Sequence, residues 1–289
     1  MPVPTGTFRG FDVRVEEKRI VVITFNQPDR LNGFTVPIKR DLIEVLTQAQ
    51  MDEAVSVVVF TGTGKGFSAG DDITTDQQPP VGGKALVPDI PQGYNTGKNL
   101  PMATYNALRA YAQPLNQLVR GIDKITIAAI NGYAIQTGMS LALCCDFRIA
   151  STEAKIGSGT LRFGLMPDEG SPYLLVHLLG VQKTMEFLLR NKIVSGQEAH
   201  DLGLVNEVVP HDKLMERAME LARELAAGPQ IAMRLLKHAV YNAAEMTFAH
   251  HLSDIATKTA ISDAQPDAVE GMAAWREKRK PKFNRWMEE

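Results

Sequence analysis

The sequence predicts an α/β protein with a helical C-terminal third, and three observations carry that prediction. Short β-branched runs alternate with segments of helical apolar spacing in the first half, and the pattern after residue 171 is almost wholly helical. A hydrophobic content of 44% over 289 residues is enough for a sizeable core.

The runs RIVVITFN (19–26), VSVVVFTG (55–62), ITIAAINGYAI (125–135) and FRIAS (147–151) are bounded by Gly, Asn, Pro or charge, and each reads as a buried strand. Between the first two, Ile38, Leu42, Val45 or Leu46 and Ala49 recur at helical spacing. Before the third, Leu108, Tyr111 or Ala112, Leu115 and Leu118 do the same. The segment 74–101, with five prolines and four glycines, fits neither period. A loop of that length is a functional lid or a disordered stretch, and lid is preferred because an unusual glycine-rich loop precedes it. Further on, Ser195 stands three residues before Glu198 as a capping box, with Gly203 as the helix stop. Helical patterns follow at 211–227, 229–244, 247–263 and 266–280, with Pro229 and Pro266 near helix starts and Pro281 as a terminator. The expected division is a core over 1–205, interrupted by the 74–101 insertion, and a helical region over 206–289.

The net charge of -2 and a pI near 6.3 give no general electrostatic attraction to nucleic acid or a membrane surface, and neither is expected as a partner. No stretch approaches the roughly 20 apolar residues that span a bilayer, and MPVPTGTFRG lacks the regions of a signal peptide, so a cytoplasmic protein is expected. Cys144 and Cys145 are adjacent in an apolar helical segment and read as small buried hydrophobes. The six histidines include no pair in ligand spacing, so no metal is assigned.

Chemistry has two candidate homes. The loop TGTGKGFSAGDDI (61–73) contains G-x-S-x-G around Ser68, but five residues separate it from the preceding strand, where a nucleophile elbow needs the strand to run straight into the serine. It also fails as a dinucleotide turn, since no helix opens there, and as a phosphate loop, since Lys65 is followed by Gly66. Its glycines instead permit close wrapping, with a backbone amide near Gly70-Asp71 free to donate to an oxygen. The turn Gln136-Thr137-Gly138 makes the same offer, because a helix beginning there leaves its first N–H groups unpaired.

The segments TFNQPDRLNGF, GKGFSAGDDI, ITIAAINGYAIQTGMSLALCCDFRIAS, RFGLMPDEGS, SGQEAHDLGLVNEVVP and WREKRKPKF occur in this order over nearly the whole chain. In these the sequence resembles the crotonase, or enoyl-CoA hydratase/isomerase, superfamily. The resemblance implies a crotonase (ClpP-like) fold of repeated ββα units in a spiral, with a helical C-terminal region that mediates homotrimers or dimers of trimers. It implies an acyl-CoA substrate, with coenzyme A as part of that substrate and no separate cofactor, and an oxyanion hole built from the amides of Asp71 and Thr137. It further implies coenzyme A contacts from Arg30, Leu31, Asp72, Ile73, Trp275 and Lys278.

At the positions of the two hydratase glutamates the sequence has Ser140 and Thr160, and neither hydroxyl is a useful acid or base near neutral pH. Asp168 falls where dienoyl-CoA isomerases and related enzymes of the superfamily place an acidic group, and Glu169 is its neighbour. One carboxylate suffices to move a proton between two carbons of an enoyl thioester, so double-bond isomerisation is the favoured reaction. Hydration by other groups, a non-catalytic acyl-CoA binder and a serine hydrolase using Ser68 are the alternatives. Dehalogenase-like chemistry with Asp168 as nucleophile is disfavoured, because no histidine precedes residue 177. The bland reading of Asp168 is a cap for a helix starting near Ser171.

Overall fold

In the computed structural model, which describes residues 2–72, 83–89 and 100–287, the chain opens with an antiparallel meander of β1 (Gly6–Phe8), β2 (Phe11–Glu16) and β3 (Ile20–Phe25). Only β3 belongs to the predicted runs. The alternation Phe11-Asp12-Val13-Arg14-Val15-Glu16 is nevertheless that of a strand with one face on the core. Next come α1 (Val36–Met51), β4 (Val57–Gly62) and β5 (Gly66–Ser68). After α2 (Leu100–Ala107), a wide helical turn at Leu108–Ala112 leads into α3 (Gln113–Gly121), whose Pro114 lacks the N–H a regular ladder needs.

The run 125–135, expected as one strand, is two: β6 (Ile125–Ile130) and β7 (Tyr133–Ile135). Asn131 makes the corner between them. Its side chain accepts from the Gly62 N–H and donates to the carbonyls of Gly64 and Gly66, so one amide ties this corner to the matching corner after β4. The chain continues through α4 (Thr137–Cys144), β8 (Phe147–Ser151), β9 (Lys155–Gly157) and α5 (Ser171–Leu189). Then follow β10 (Ile193–Ser195), α6 (Gly196–Leu202), β11 (Glu207–Val209) and α7 (Leu214–Ala227). The end is α8 (Gln230–Ala243), α9 (Phe248–Asp263) and α10 (Pro266–Arg276). Strands β10 and β11 correct the wholly helical reading of this half, for both are too short to show a period. The capping box of Ser195 and Glu198 and the left-handed Gly203 bound α6 as read.

Two sheets result. The larger runs β1-β2-β3-β4-β6-β8-β11, parallel from β3 onward, and the smaller runs β10-β9-β7-β5. Each of β4, β6 and β8 is followed by a short strand of the smaller sheet, so one strand–corner–strand unit recurs three times. The central strands are apolar on both faces because both are covered. On one side Ile23, Phe25, Val58, Phe60, Ala128 and Ile130 meet α1, α3 and α4. On the other, Val22, Val57, Val59, Ile125, Ile127 and Ile149 lie under Leu214, Ala218, Leu221 and Ala222 of α7. Strand β11 pairs with β8, so the C-terminal third contributes one edge of the larger sheet.

Of the segment 74–101, residues 74–82 and 90–99 lie outside the described part, but 83–89 is docked. Lys84 bridges to Phe8, and the buried Asp41 carboxylate accepts from the amides of Leu86 and Val87 and, at 2.7 Å through each oxygen, from the Arg9 guanidinium. Among the described residues no helix is long and apolar enough to cross a membrane.

Candidate active site

Strands β5 and β7 are parallel neighbours, with Gly66 opposite Tyr133 and Ser68 opposite Ala134. Parallel neighbours deliver their C-terminal ends to the same edge, so the turns Ala69-Gly70-Asp71 and Gln136-Thr137 emerge side by side. At the first, the Ala69 N–H donates to Leu31 O, the Phe34 N–H to Gly70 O and the Asp72 N–H to Phe34 O. Alternation along an extended backbone then turns the Asp71 N–H away from this partner strand. At the second, Gln136 holds a left-handed φ of 48° and its carbonyl accepts the Ser140 N–H, opening α4 with Thr137 as first residue. Thr137 therefore keeps one of the N–H groups that a helix start leaves unpaired. The two turns touch: a Cβ built on Gly70 would lie 3.6 Å from the Thr137 nitrogen, and Thr137 Oγ1 donates to Asp71 Oδ1 at 3.1 Å. The amides of Asp71 and Thr137 thus stand at one edge, beside the positive end of α4.

Asp168 and Glu169 lie on the turn before α5, which α3 fixes by the backbone: Gln113 Nε2 donates to Asp168 O and Asn116 Nδ2 to Glu169 O. The N-cap of α5 is Gly170, with no side-chain cap bond, so Asp168 is not a helix cap. Its carboxyl is pushed above the ordinary carboxylate range, first by burial and then by the Asp71 charge, with Lys39 and Gln136 acting in the opposite direction. Gln136 and Asp71 belong to the two donor turns, so Asp168 is within electrostatic reach of both. Asp168 is nevertheless exposed on this turn, whereas Glu169 is buried. Its carboxyl is also raised, by burial first, although the ammonium of Lys39 lies 2.7 Å from Oε1 and opposes the shift. Glu169 Oε2 is buried without a hydrogen-bond partner.

Lys39 escaped the sequence reading. It stands on the arc 39, 42, 46, 49 of α1, where the other members are Leu42, Leu46 and Ala49, and a charge on an apolar arc was the available signal.

Ser140 and Thr160, expected at the hydratase glutamate positions, lie near the Gln136 turn, Thr160 through Ser158. Ser140 is fully buried, and its Oγ has no hydrogen-bond partner. Thr160 Oγ1 lies 3.2 Å from Ser158 Oγ, which donates to Gln136 Oε1 at 2.6 Å. Ser68 is fully buried, and its hydroxyl accepts the Gly70 N–H, which makes it a turn lock rather than a presented nucleophile. Of the residues assigned to coenzyme A, Arg30 pairs with Asp72 at 2.5 Å and Leu31 accepts from Ala69, so both stand against the loop after β5. Ile73 lies outside the described residues. Trp275, 82% exposed at the end of α10, and Lys278, in a left-handed turn just after it, are not among the groups gathered around Asp71 and Thr137. Helix α10 also ends at Arg276, short of the 280 expected, and Arg279 folds back onto Glu270. Among the described residues no group of three or more His, Cys, Asp or Glu side chains is arranged to hold a metal ion.

Comparison with known proteins finds similarity over nearly the whole chain. A family model described as enoyl-CoA hydratase/isomerase matches residues 15–85 and 89–286. A 1,2-epoxyphenylacetyl-CoA isomerase of Escherichia coli is 30% identical over 267 residues, 92% of this chain and 95% of the relative. A crotonyl-CoA hydratase of Syntrophomonas wolfei is 30% identical over 269 residues, 93% of this chain and 95% of its own. Among solved structures, an enoyl-CoA hydratase from Bacillus anthracis superposes with a TM-score of 0.83 at 29% identity, over 95% of this chain and 98% of that one.

Proposed function

The chain belongs to the enoyl-CoA hydratase/isomerase family, and on that premise we propose that it isomerises the double bond of an enoyl-CoA, with Asp168 as its single acid/base. The thioester carbonyl binds between the amides of Asp71 and Thr137. Asp168 removes a proton from the α-carbon, and the electron pair moves onto the thioester oxygen as the dienolate. Protonated Asp168 then returns the proton two carbons away, and the double bond ends in conjugation with the carbonyl. Each donor amide contributes about 3–4 kcal/mol by being aimed in advance at charge that develops in the transition state.

One observation carries the choice of isomerisation. The side chains at the expected hydratase glutamate positions are Ser140 and Thr160, whereas Asp168 is an exposed carboxyl, open to a substrate, whose proton affinity is raised by partial desolvation and by Asp71. A base of raised pKa holds the abstracted proton long enough to return it. Relatives named for isomerisation and for hydration are equally similar, at 30% identity, so hydration is the second reading. Coenzyme A contacts from Arg30, Leu31, Asp72, Ile73, Trp275 and Lys278 belong to the same proposal. A homotrimer or a dimer of trimers is supported by apolar side chains left in water on the last three helices, among them Leu252, Val269, Met272 and Trp275.

The test is turnover of 3-enoyl-CoA and 2-enoyl-CoA by wild type and Asp168→Asn. The expected result is isomerisation by wild type and a loss of about 10²–10⁴-fold in the variant. Full isomerase activity in Asp168→Asn removes the assigned role. Hydration of 2-enoyl-CoA without isomerisation selects the second reading, and binding without any turnover selects a non-catalytic binder.

A further inference from the structure

The proton shuttle leaves Lys39 without a role, yet its placement is demanding. Its side chain is 4% exposed, and its ammonium lies 2.7 Å from Asp71 Oδ1 and 2.7 Å from Glu169 Oε1. Burial opposes the charge, but the two carboxylates outweigh it and hold Lys39 protonated, with a raised pKa. A buried ion pair contributes little net stability compared with apolar side chains of the same volume, so packing alone does not account for a lysine here.

The two partners explain it better. Asp71 carries one donor amide, and Glu169 is covalently next to Asp168, so Lys39 links the loop that holds the oxyanion to the turn that holds the acid. Three elements far apart in sequence, α1, the loop after β5 and the turn before α5, meet at one nitrogen. Charge gives a second reason. Asp71 lies close enough to both other carboxyl groups to raise Asp168 and Glu169 alike. A thioester enolate forming beside them adds further negative charge. Lys39 is the cation that acts against this, since its field favours the ionised form of Asp168 and of Glu169 alike.

We propose that Lys39 is a positioning residue of this site: its ammonium fixes the oxyanion loop relative to the acid-bearing turn and offsets the carboxylate field where the enolate forms. This rests on the enolate reading of the same site.

The experiment compares kcat, KM and thermal unfolding for wild type, Lys39→Met and the double variant Lys39→Met/Glu169→Gln, with a 3-enoyl-CoA as substrate. In Lys39→Met kcat falls about 10–100-fold while KM stays within about threefold, because the loss is confined to the transition state. The double variant no longer carries an unpaired buried Glu169, so its melting temperature returns toward wild type, while kcat stays low. Recovery of wild-type kcat together with stability reduces Lys39 to a structural ion-pair partner and overturns the proposal. So does an unchanged kcat in the single variant. A wild type that turns over no acyl-CoA removes the enolate reading and the proposal with it, whereas turnover that survives the loss of Lys39 removes the proposal alone.

Discussion

Gly138→Ala is the sharpest probe of the oxyanion hole, because it adds one methyl group where α4 begins. Built on the present backbone, that carbon would lie 2.1 Å from the carbonyl oxygen of Ser68 and 2.9 Å from both the carbonyl carbon and the Cβ of the same residue. The obstacle is mainly backbone of β5, a strand hydrogen-bonded to β7, so no flexible side chain can swing aside. The start of α4 must therefore move away from β5 by about 1 Å, and overpacking of this kind costs about 1–3 kcal/mol. Thr137 is the residue before Gly138, and its N–H moves with it, away from the Asp71 turn. Misplacing one donor of a pair costs about 10²–10³-fold in kcat. Steady-state turnover of a 3-enoyl-CoA, with thermal unfolding on the same samples, reads both effects. Expected are a kcat lower by that factor, a nearly unchanged KM and a melting temperature reduced by several degrees. Gly121→Ala, at the end of α3 with open space around the added carbon, serves as control and changes stability by no more than about 1 kcal/mol. Wild-type kcat in a folded Gly138→Ala protein would refute the reasoning, because the Thr137 amide could then not be a donor held in place by contact with β5.

Two further expectations concern ionisation. The folded protein raises the pKa of Asp168, so it binds that proton more tightly than the unfolded chain does, and stability from this group is present at low pH and lost as pH rises through the folded value. Asn mimics the protonated form, so Asp168→Asn is expected to melt higher than wild type near neutral pH, with the difference vanishing below about pH 4, the unfolded carboxyl value. A lower melting temperature at neutral pH would show that Asp168 serves stability. Burial pushes the Cys144 thiol up to about 12 and that of Cys145 upward as well, so neither forms the thiolate that reacts. A disulfide reagent at about pH 8 should label neither in the native protein and both after guanidinium unfolding. Rapid labelling of native protein would contradict their burial.

Strong local signals survived folding, apart from the division of 125–135 into two strands. The long apolar runs became β3, β4, β6 and β8, and the capping box and glycine stop bound α6, because each is a matter of neighbours in sequence. Apart from β1 and β2, the elements missed were those defined by their partners. Strands β5, β9, β10 and β11 have three residues each, so none is long enough to display alternation and pairing alone makes them strands, and the three-residue β7 reads in sequence only as a continuation of β6. The same holds within the site. Glycines at 70 and 138 marked two turns, but that a built Gly70 Cβ would lie 3.6 Å from the Thr137 nitrogen follows from β5 lying beside β7.

By itself, then, the sequence determined the α/β alternation, the helical end and the two glycine-bearing turns, while the expectation that Ser140 and Thr160 stand where a hydratase carries glutamates came from the resemblance. It could not separate Asp168 from Glu169, since adjacent residues share every local signal. Tertiary structure separates them by environment: Glu169 is buried against Lys39 of α1, 130 residues earlier, while Asp168 remains exposed. A charge on the apolar arc of a helix is only an anomaly until folding brings its partners to it. That is why Lys39 was visible as a residue and invisible as part of a site.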